Sequence, residues 1–246
     1  MKSIIVRNLT YKYPDGRIAL ASINFEIEAS SCVALIGPNG AGKSTLLQIL
    51  SGIIAGEGSV FIEDILLNKK TLPEIRRKIG LVFQNPDDQL FMPTVLEDIA
   101  FGPLNMGLTR ENAYNKALNA LEMADCLKLA HVPPHHISIG ERKRVAIAAI
   151  LSMEPDILLM DEPSASLDPR SRRKLIEMLC HLPQTLIIAT HDMELAYELC
   201  PQTIIMDQGK LITSGQTNEI MQDSALLLDH GLEQPYSIKN SRCSSF

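Results

Sequence analysis

The sequence predicts an α/β fold: a mostly parallel sheet flanked by helices, with an N-terminal antiparallel β subdomain and an inserted helical subdomain. Three observations predict it. Cys32 to Ile36, Ile157 to Met160 and Leu186 to Ala189 are short, continuous apolar runs, the pattern of strands buried on both faces of a parallel sheet. The first of them runs into the glycine-rich stretch Gly37-Pro38-Asn39-Gly40-Ala41-Gly42-Lys43-Ser44, which opens a helix. Finally, the segment from about Pro93 to Leu151 turns helical, interrupting an alternation of strands and helices.

Taken in order, Ser3 to Tyr13 reads as a strand and Pro14-Asp15-Gly16 as a turn, after which Ile23, Phe25 and Ile27 alternate with polar neighbours. Thr45 to Leu50 continues the helix begun at the glycine-rich loop, and Gly52 stops it. Ser59 to Ile62 is a strand, Leu72 to Arg77 a short basic helix and Ile79 to Phe83 a strand. In the helical block, Thr109 is the expected N-cap of a helix whose stripe is Ala113, Ala117, Leu118, Leu121 and Ala124. Pro133 and Pro134 end that run, and a second helix begins near Glu141. Arg172 to His181 is a helix, and Ile204–Asp207 with Leu211–Thr213 forms a hairpin around Gln208-Gly209-Lys210. Residues 1–232 form the expected domain, with the helical insertion at about 93–151; residues 233–246, polar and serine-rich, are expected to be a disordered tail. No internal repeat is evident.

Composition narrows the function classes. The chain has 246 residues, 46% hydrophobic and 21% charged, in the range of globular proteins with a substantial core. Its longest apolar run, Val145 to Leu151, falls well short of the ~20 residues of a membrane helix. The opening Met1-Lys2-Ser3-Ile4-Ile5-Val6-Arg7 lacks the apolar core of a secretory signal. A net charge of -6 argues against nucleic acid as a partner. Five cysteines without a C-x-x-C pair are expected as free thiols in a reducing cytoplasm, and His131, His135 and His136 lack metal-ligand spacing.

The chemistry lies in the loop and in the strand ends. The stretch from Gly37 to Ser44 fits G-x-x-x-x-G-K-[ST], the phosphate-binding loop of a P-loop NTPase core. Glycines permit close approach of backbone N–H groups to phosphates, Lys43 neutralises their charge and Ser44 is a ligand for Mg²⁺. Such a site needs a carboxylate for the ion, and Asp161, at the end of an apolar strand, supplies it. Glu162 is placed to orient or deprotonate an attacking water. Gln84 and His191, each following a further strand, reach the metal or the γ-phosphate. Asn68-Lys69-Lys70-Thr71 lacks the aspartate that would read guanine, so the nucleotide expected is ATP.

These motifs, together and in this order, resemble the nucleotide-binding subunit of ABC transporters from Met1 to about Leu232. The resemblance implies that Tyr13 stacks on adenine, that Gly37 to Thr45 is the Walker A loop and that Gln84 is the Q-loop glutamine. It makes Asp161 the Walker B aspartate, Glu162 the catalytic glutamate, Ser166-Leu167-Asp168 the D-loop and His191 the switch histidine. It further implies a head-to-tail dimer, homomeric or heteromeric, in which each ATP lies between one Walker A loop and the signature sequence of the other protomer. Ser138 and Gly140 of Ile137-Ser138-Ile139-Gly140-Glu141 carry that signature here.

Ile139 departs from the family's glycine. Its β-branched side chain intrudes where backbone must approach the γ-phosphate, which is expected to weaken the ATP site that this signature completes; were the position also to require a positive φ, strain alone would cost roughly 1–2 kcal/mol. Gln84-Asn85-Pro86-Asp87-Asp88-Gln89-Leu90-Phe91 and Glu97 to Pro103 are similar to ATPases of energy-coupling-factor importers, including cobalt and nickel systems. That likeness implies transmembrane partner subunits, peripheral attachment to the cytoplasmic face of the cell membrane, and a transition-metal ion or vitamin as cargo. The alternatives are a weakly hydrolysing or regulatory partner in a heterodimer, motivated by Ile139, and a soluble ABC ATPase acting outside transport. The length argues against the last, holding one ATPase domain and no long coiled coil.

Overall fold

The computed structural model describes residues 1–243. A six-stranded sheet carries the fold, in the order β10-β9-β3-β8-β7-β6. Its parallel strands are β3 (Cys32–Ile36), β6 (Ile79–Val82), β7 (Ile157–Asp161), β8 (Thr185–Thr190) and β9 (Gln202–Asp207); β10 (Lys210–Gln216) is antiparallel at one edge. The apolar runs are buried on both faces, as the sequence predicts. Ala34, Ile36, Leu158, Met160, Leu186 and Ile188 face one core, while Val33, Leu35, Ile157, Leu159, Ile187 and Ala189 face another.

The second core is closed by α1 (Lys43–Leu50) and by a four-stranded antiparallel sheet, β2-β1-β4-β5. Those strands are β1 (Lys2–Lys12), β2 (Ile18–Glu28), β4 (Glu57–Ile62) and the two-residue β5 (Ile65–Leu66), too short to be read from periodicity. Gly52 ends α1 at φ +68, its N–H bonding to Ile49 O while Ile53 N bonds to Gln48 O. The basic segment is α2 (Leu72–Lys78).

The first core is closed by helices. Between β6 and β7 run α3 (Val95–Asn105), α4 (Arg110–Met123) and α5 (Ile139–Leu151). Thr109 caps α4, its hydroxyl accepting from Asn112 N, but the stripe differs at one position: Leu118 is exposed while Ala113, Ala117 and Leu121 are buried. Ala120, outside the expected stripe, is buried with them. Then come α6 (Pro169–Cys180), α7 (Met193–Leu199), α8 (Thr217–Gln222) and α9 (Ser224–Asp229), of which the last three are too short for a periodic signal. The β9–β10 turn has positive φ at Gln208 (+47) and Gly209 (+76), a two-residue hairpin turn.

The expected disordered tail is corrected. Tyr236–Cys243 forms α10. Gln234 Nε2 donates to Met221 O at 3.0 Å, Glu194 accepts from Ser237 N and Oγ at 3.0 and 2.8 Å, and Ile238 is buried. Composition alone missed these anchors; residues 244–246 of the expected tail lie outside the described residues. Among the described residues, no helix is long and apolar enough to cross a membrane.

Entry into α3 depends on Asp98. Its Oδ1 accepts from Phe91 N and Met92 N, both at 2.9 Å, although the residue is 6% exposed and burial raises its pKa. Asp98→Ala leaves two part-buried donors without their acceptor and is expected to destabilise the fold by about 1 kcal/mol, read as a lower urea midpoint with unchanged slope.

Candidate functional site

Strand register brings the predicted residues together. Ile36, the last residue of β3, pairs with Thr190, and Asp161, the last of β7, pairs with Ala189. Three parallel strands therefore end at one level, and the loops that follow them carry Gly37 to Gly42, Glu162 and His191 to one place. Tyr13, Asn39 to Thr45, Gln84, Asp161, Glu162 and His191 line a single cavity of about 310 Å³. Arg17, Ile18 and Ala19 line it too, which sequence reasoning missed because they belong to no motif.

The loop is held from outside. A Cβ at Gly37 would lie 2.0 Å from Met206 O, so only glycine allows the loop to abut the end of β9. Gly209 N bonds to Ala41 O, Ala21 N to Gly209 O, and Ala41 N to Pro38 O. Lys43, 7% exposed, donates to Gly37 O at 2.7 Å and Pro38 O at 3.2 Å, and burial lowers its pKa. Tyr13 Oη and Thr45 Oγ1 are 2.8 Å apart, and the Arg17 guanidinium lies 4.8 Å over the Tyr13 ring.

Asp161 and Glu162 have different environments. Burial raises the pKa of Asp161 against a hydrogen bond from Ser44. One of its oxygens, Oδ1, is buried and has no protein partner. Glu162, 7% exposed, has φ +48, a conformation that costs a β-carbon-bearing residue energy and needs external support. Its N–H bonds to Ala189 O, and Lys143 Nζ donates to its carbonyl at 2.9 Å. Its Oε2 accepts from Thr190 Oγ1 at 3.2 Å and His191 N at 3.3 Å, and lies 2.9 Å from His191 Nδ1. The His191 side chain is 63% exposed toward the cavity mouth.

Ser138, Gly140 and Asp168 do not line this cavity. They form a second cluster at the N-termini of α5 and α6. Ser138 caps α5 in a capping box with Glu141, whose Oε2 accepts from Ser138 N at 2.8 Å and Oγ at 2.7 Å. A Cβ at Gly140 would lie 2.5 Å from Ser171 Oγ, which in turn donates to Asp168 Oδ2 at 2.6 Å. The strain considered for Ile139 does not arise: it is the first residue of α5 and its φ is not positive.

A matching family model, described as ABC transporter, spans residues 20–165. The chain belongs to this family. It is an ABC ATPase, binding ATP and coupling its hydrolysis to transport. It is 45% identical over 236 residues to an energy-coupling factor transporter ATP-binding protein, EcfA, of Methanosphaera stadtmanae, covering 94% of this chain and 85% of that one. The solved cbiO1 of Clostridium perfringens, described as part of the ABC transporter complex cbiONQ, superposes with a TM-score of 0.83 at 36% identity, covering 93% and 94%. The ATP-binding cassette MJ0796, solved as a dimer in a post-hydrolysis state with ADP and Pi, gives a TM-score of 0.78 at 31% identity, covering 87% and 98%.

Two further residues support the site without a motif to announce them. Lys143 stands on the buried face of α5, in helical step with Ile139 and Ile147; a lysine in that stripe is the signal. Asp192, after His191, accepts from Arg172 Nε at 2.9 Å, Ser164 Oγ at 3.0 Å and Leu195 N at 2.9 Å. Burial works to raise its pKa, but the Arg172 hydrogen bond and the others outweigh it, and the carboxyl is held below the ordinary aspartate value of 3.8. A depressed carboxylate stabilises the fold above its unfolded-state pKa and loses that contribution as pH falls through the folded-state value. Asp192→Asn is therefore expected to cost about 1–3 kcal/mol at neutral pH. Denaturant titrations across pH should show the gap to wild type closing below 3.8.

Proposed function

We propose that this chain is the ATP-hydrolysing subunit of an energy-coupling-factor importer, driving uptake of a transition-metal ion (cobalt or nickel) or a vitamin through separate membrane subunits. It works as a dimer on the cytoplasmic face of the membrane. The observation that carries the reading is the division of the site. Lys43, Gln84, Asp161, Glu162 and His191 share one cavity, whereas Ser138, Gly140 and Asp168 stand outside it in the same chain. A second copy or a related subunit would bring its own signature to this cavity.

Adenine stacks on Tyr13, and the backbone N–H groups from Asn39 to Thr45 take the phosphates at the N-terminus of α1. Lys43 exchanges its bonds to Gly37 O and Pro38 O for phosphate oxygens, a charged partner in a dry site. Ser44, Gln84 and Asp161 fit Mg²⁺: all offer hard oxygen donors, and Asp161 Oδ1 is buried without a partner. Held by these residues, Mg²⁺ would supply Lewis-acid stabilisation of the phosphate charge. Glu162 orients the attacking water and accepts its proton at Oε1 or Oε2. His191, against Glu162 Oε2, steadies that carboxylate and supports the γ-phosphate.

Membrane attachment is supported by an apolar edge beside Gln84. Phe91 and Phe101, 65% and 41% exposed, meet edge to face at 5.0 Å, and Phe83, Leu104 and Met106 are exposed with them. Solvent-facing aromatic pairs of this kind suit a docking surface for a membrane subunit. The names EcfA and cbiO1 borne by related proteins support the importer class.

Glu162→Gln is the test of the central assignment. The variant should bind ATP with Mg²⁺, accumulate as an ATP-bound dimer on size-exclusion chromatography and lose about 10²- to 10⁴-fold in turnover. Near-normal hydrolysis would refute the role of Glu162.

A further inference from the structure

Lys143 is a buried cation beside the site that the mechanism above does not use. It is 5% exposed and forms no ion pair among the described residues. Its ammonium spends its hydrogen bond on the carbonyl of Glu162, 2.9 Å away and 19 residues on in the chain. Burial pushes Lys143 down to about 8, against the pull of the Glu162 and Asp161 carboxylates, which act to raise it. A methionine or leucine would fill that space but would take this donor from the Glu162 carbonyl. A donor held on that carbonyl calls for a role.

Three segments meet at this side chain. Lys143 lies one helical turn beyond Ser138 and Ile139, on the helix whose N-terminus is the signature. Val82, Pro86 and Pro163 line the same narrow space, so the segment after Gln84 and the turn after Glu162 both abut it. Glu162 itself is held at φ +48, and its backbone has three partners: Ala189 O on its N–H, and both Ala165 N and Lys143 Nζ on its carbonyl. One belongs to the sheet, one to the turn that follows Glu162, and Lys143 alone to α5. A displacement of α5 along its axis therefore changes the support of the Glu162 backbone, and with it the aim of the carboxylate.

We propose that Lys143 is a positioning residue that couples the signature helix to Glu162. The inference rests on the reading of Glu162 as the water-orienting carboxylate and of Ser138 to Glu141 as the surface that engages the partner's ATP. Under it, occupancy at the partner's nucleotide sets the aim of this chain's own Glu162 through a single lysine. Lys143 touches neither nucleotide.

The experiment is steady-state ATP hydrolysis by the full chain with Mg²⁺, comparing wild type, Lys143→Met, Lys143→Gln and Glu162→Gln, with melting temperatures measured alongside. Lys143→Met keeps the volume and removes the donor; it should lower kcat about 10- to 100-fold with KM for ATP within about twofold of wild type. Lys143→Gln restores a donor without charge and should recover most of kcat. The proposal is overturned if Lys143→Met keeps wild-type kcat, or if Lys143→Gln loses as much as Lys143→Met. It is also overturned if kcat, ATP affinity and melting temperature fall together, the mark of a structural role. Where Lys143→Met does not fold, Lys143→Gln decides alone: kcat within about threefold of wild type supports the coupling, and a loss beyond about tenfold overturns it. Normal hydrolysis by Glu162→Gln would instead remove the catalytic assignment, whereas an inactive Glu162→Gln beside a fully active Lys143→Met removes only the coupling.

Discussion

The whole site depends on one constraint of packing: three strands buried on both faces must end in register. Ile36 is opposite Thr190 and Asp161 opposite Ala189, so the backbone leaves the sheet at one level in three adjacent places. A slip of one residue in any strand would turn its side chains to the wrong core and withdraw its loop from the cavity. Two apolar cores, one on each face, thus set the positions of Lys43, Asp161, Glu162 and His191. Hydrogen bonds then refine the aim, as Thr190 Oγ1 and His191 N do for the Glu162 carboxylate.

Division of labour between clusters follows from the same architecture. The cavity gathers the ends of the sheet strands, while the helical insertion carries Ser138 and Gly140 on the first turn of α5. That turn is made rigid by the Ser138–Glu141 capping box and by the close seat of Gly140 on Ser171. Asp168 belongs to the same seat, since it caps α6 and accepts from Ser171. Membership of the ABC transporter family and the dimeric state of a related cassette are consistent with this separation.

What was legible in the sequence is what is contiguous. The glycine-rich loop, the apolar strands and the acidic pair after Met160 are local patterns, and each lies where its pattern predicts. Contacts between distant segments were not legible. Lys143 meets Glu162 across 19 residues, and Ser164 meets Asp192 across 28. Helix α10 is held by Glu194, 43 residues earlier, so the serine-rich composition of that segment misled. The strain imagined at Ile139 failed for a different reason: a helix N-terminus accepts any residue with ordinary φ, and the signature begins α5 rather than a turn.

The loop from Gly37 to Gly42 is braced by the hairpin of β9 and β10, with Gly209 bonded to Ala41 and Met206 O filling the space beside Gly37. Such a loop enters the bound conformation without first being ordered. A flexible phosphate loop would forfeit about 1–2 kcal/mol of chain entropy for each residue immobilised. Here that loss is met once, during folding, by contacts remote from the ligand. The interaction energy of the phosphates is then free to drive larger motions of the molecule, which is what a machine that turns chemistry into movement requires of its binding site.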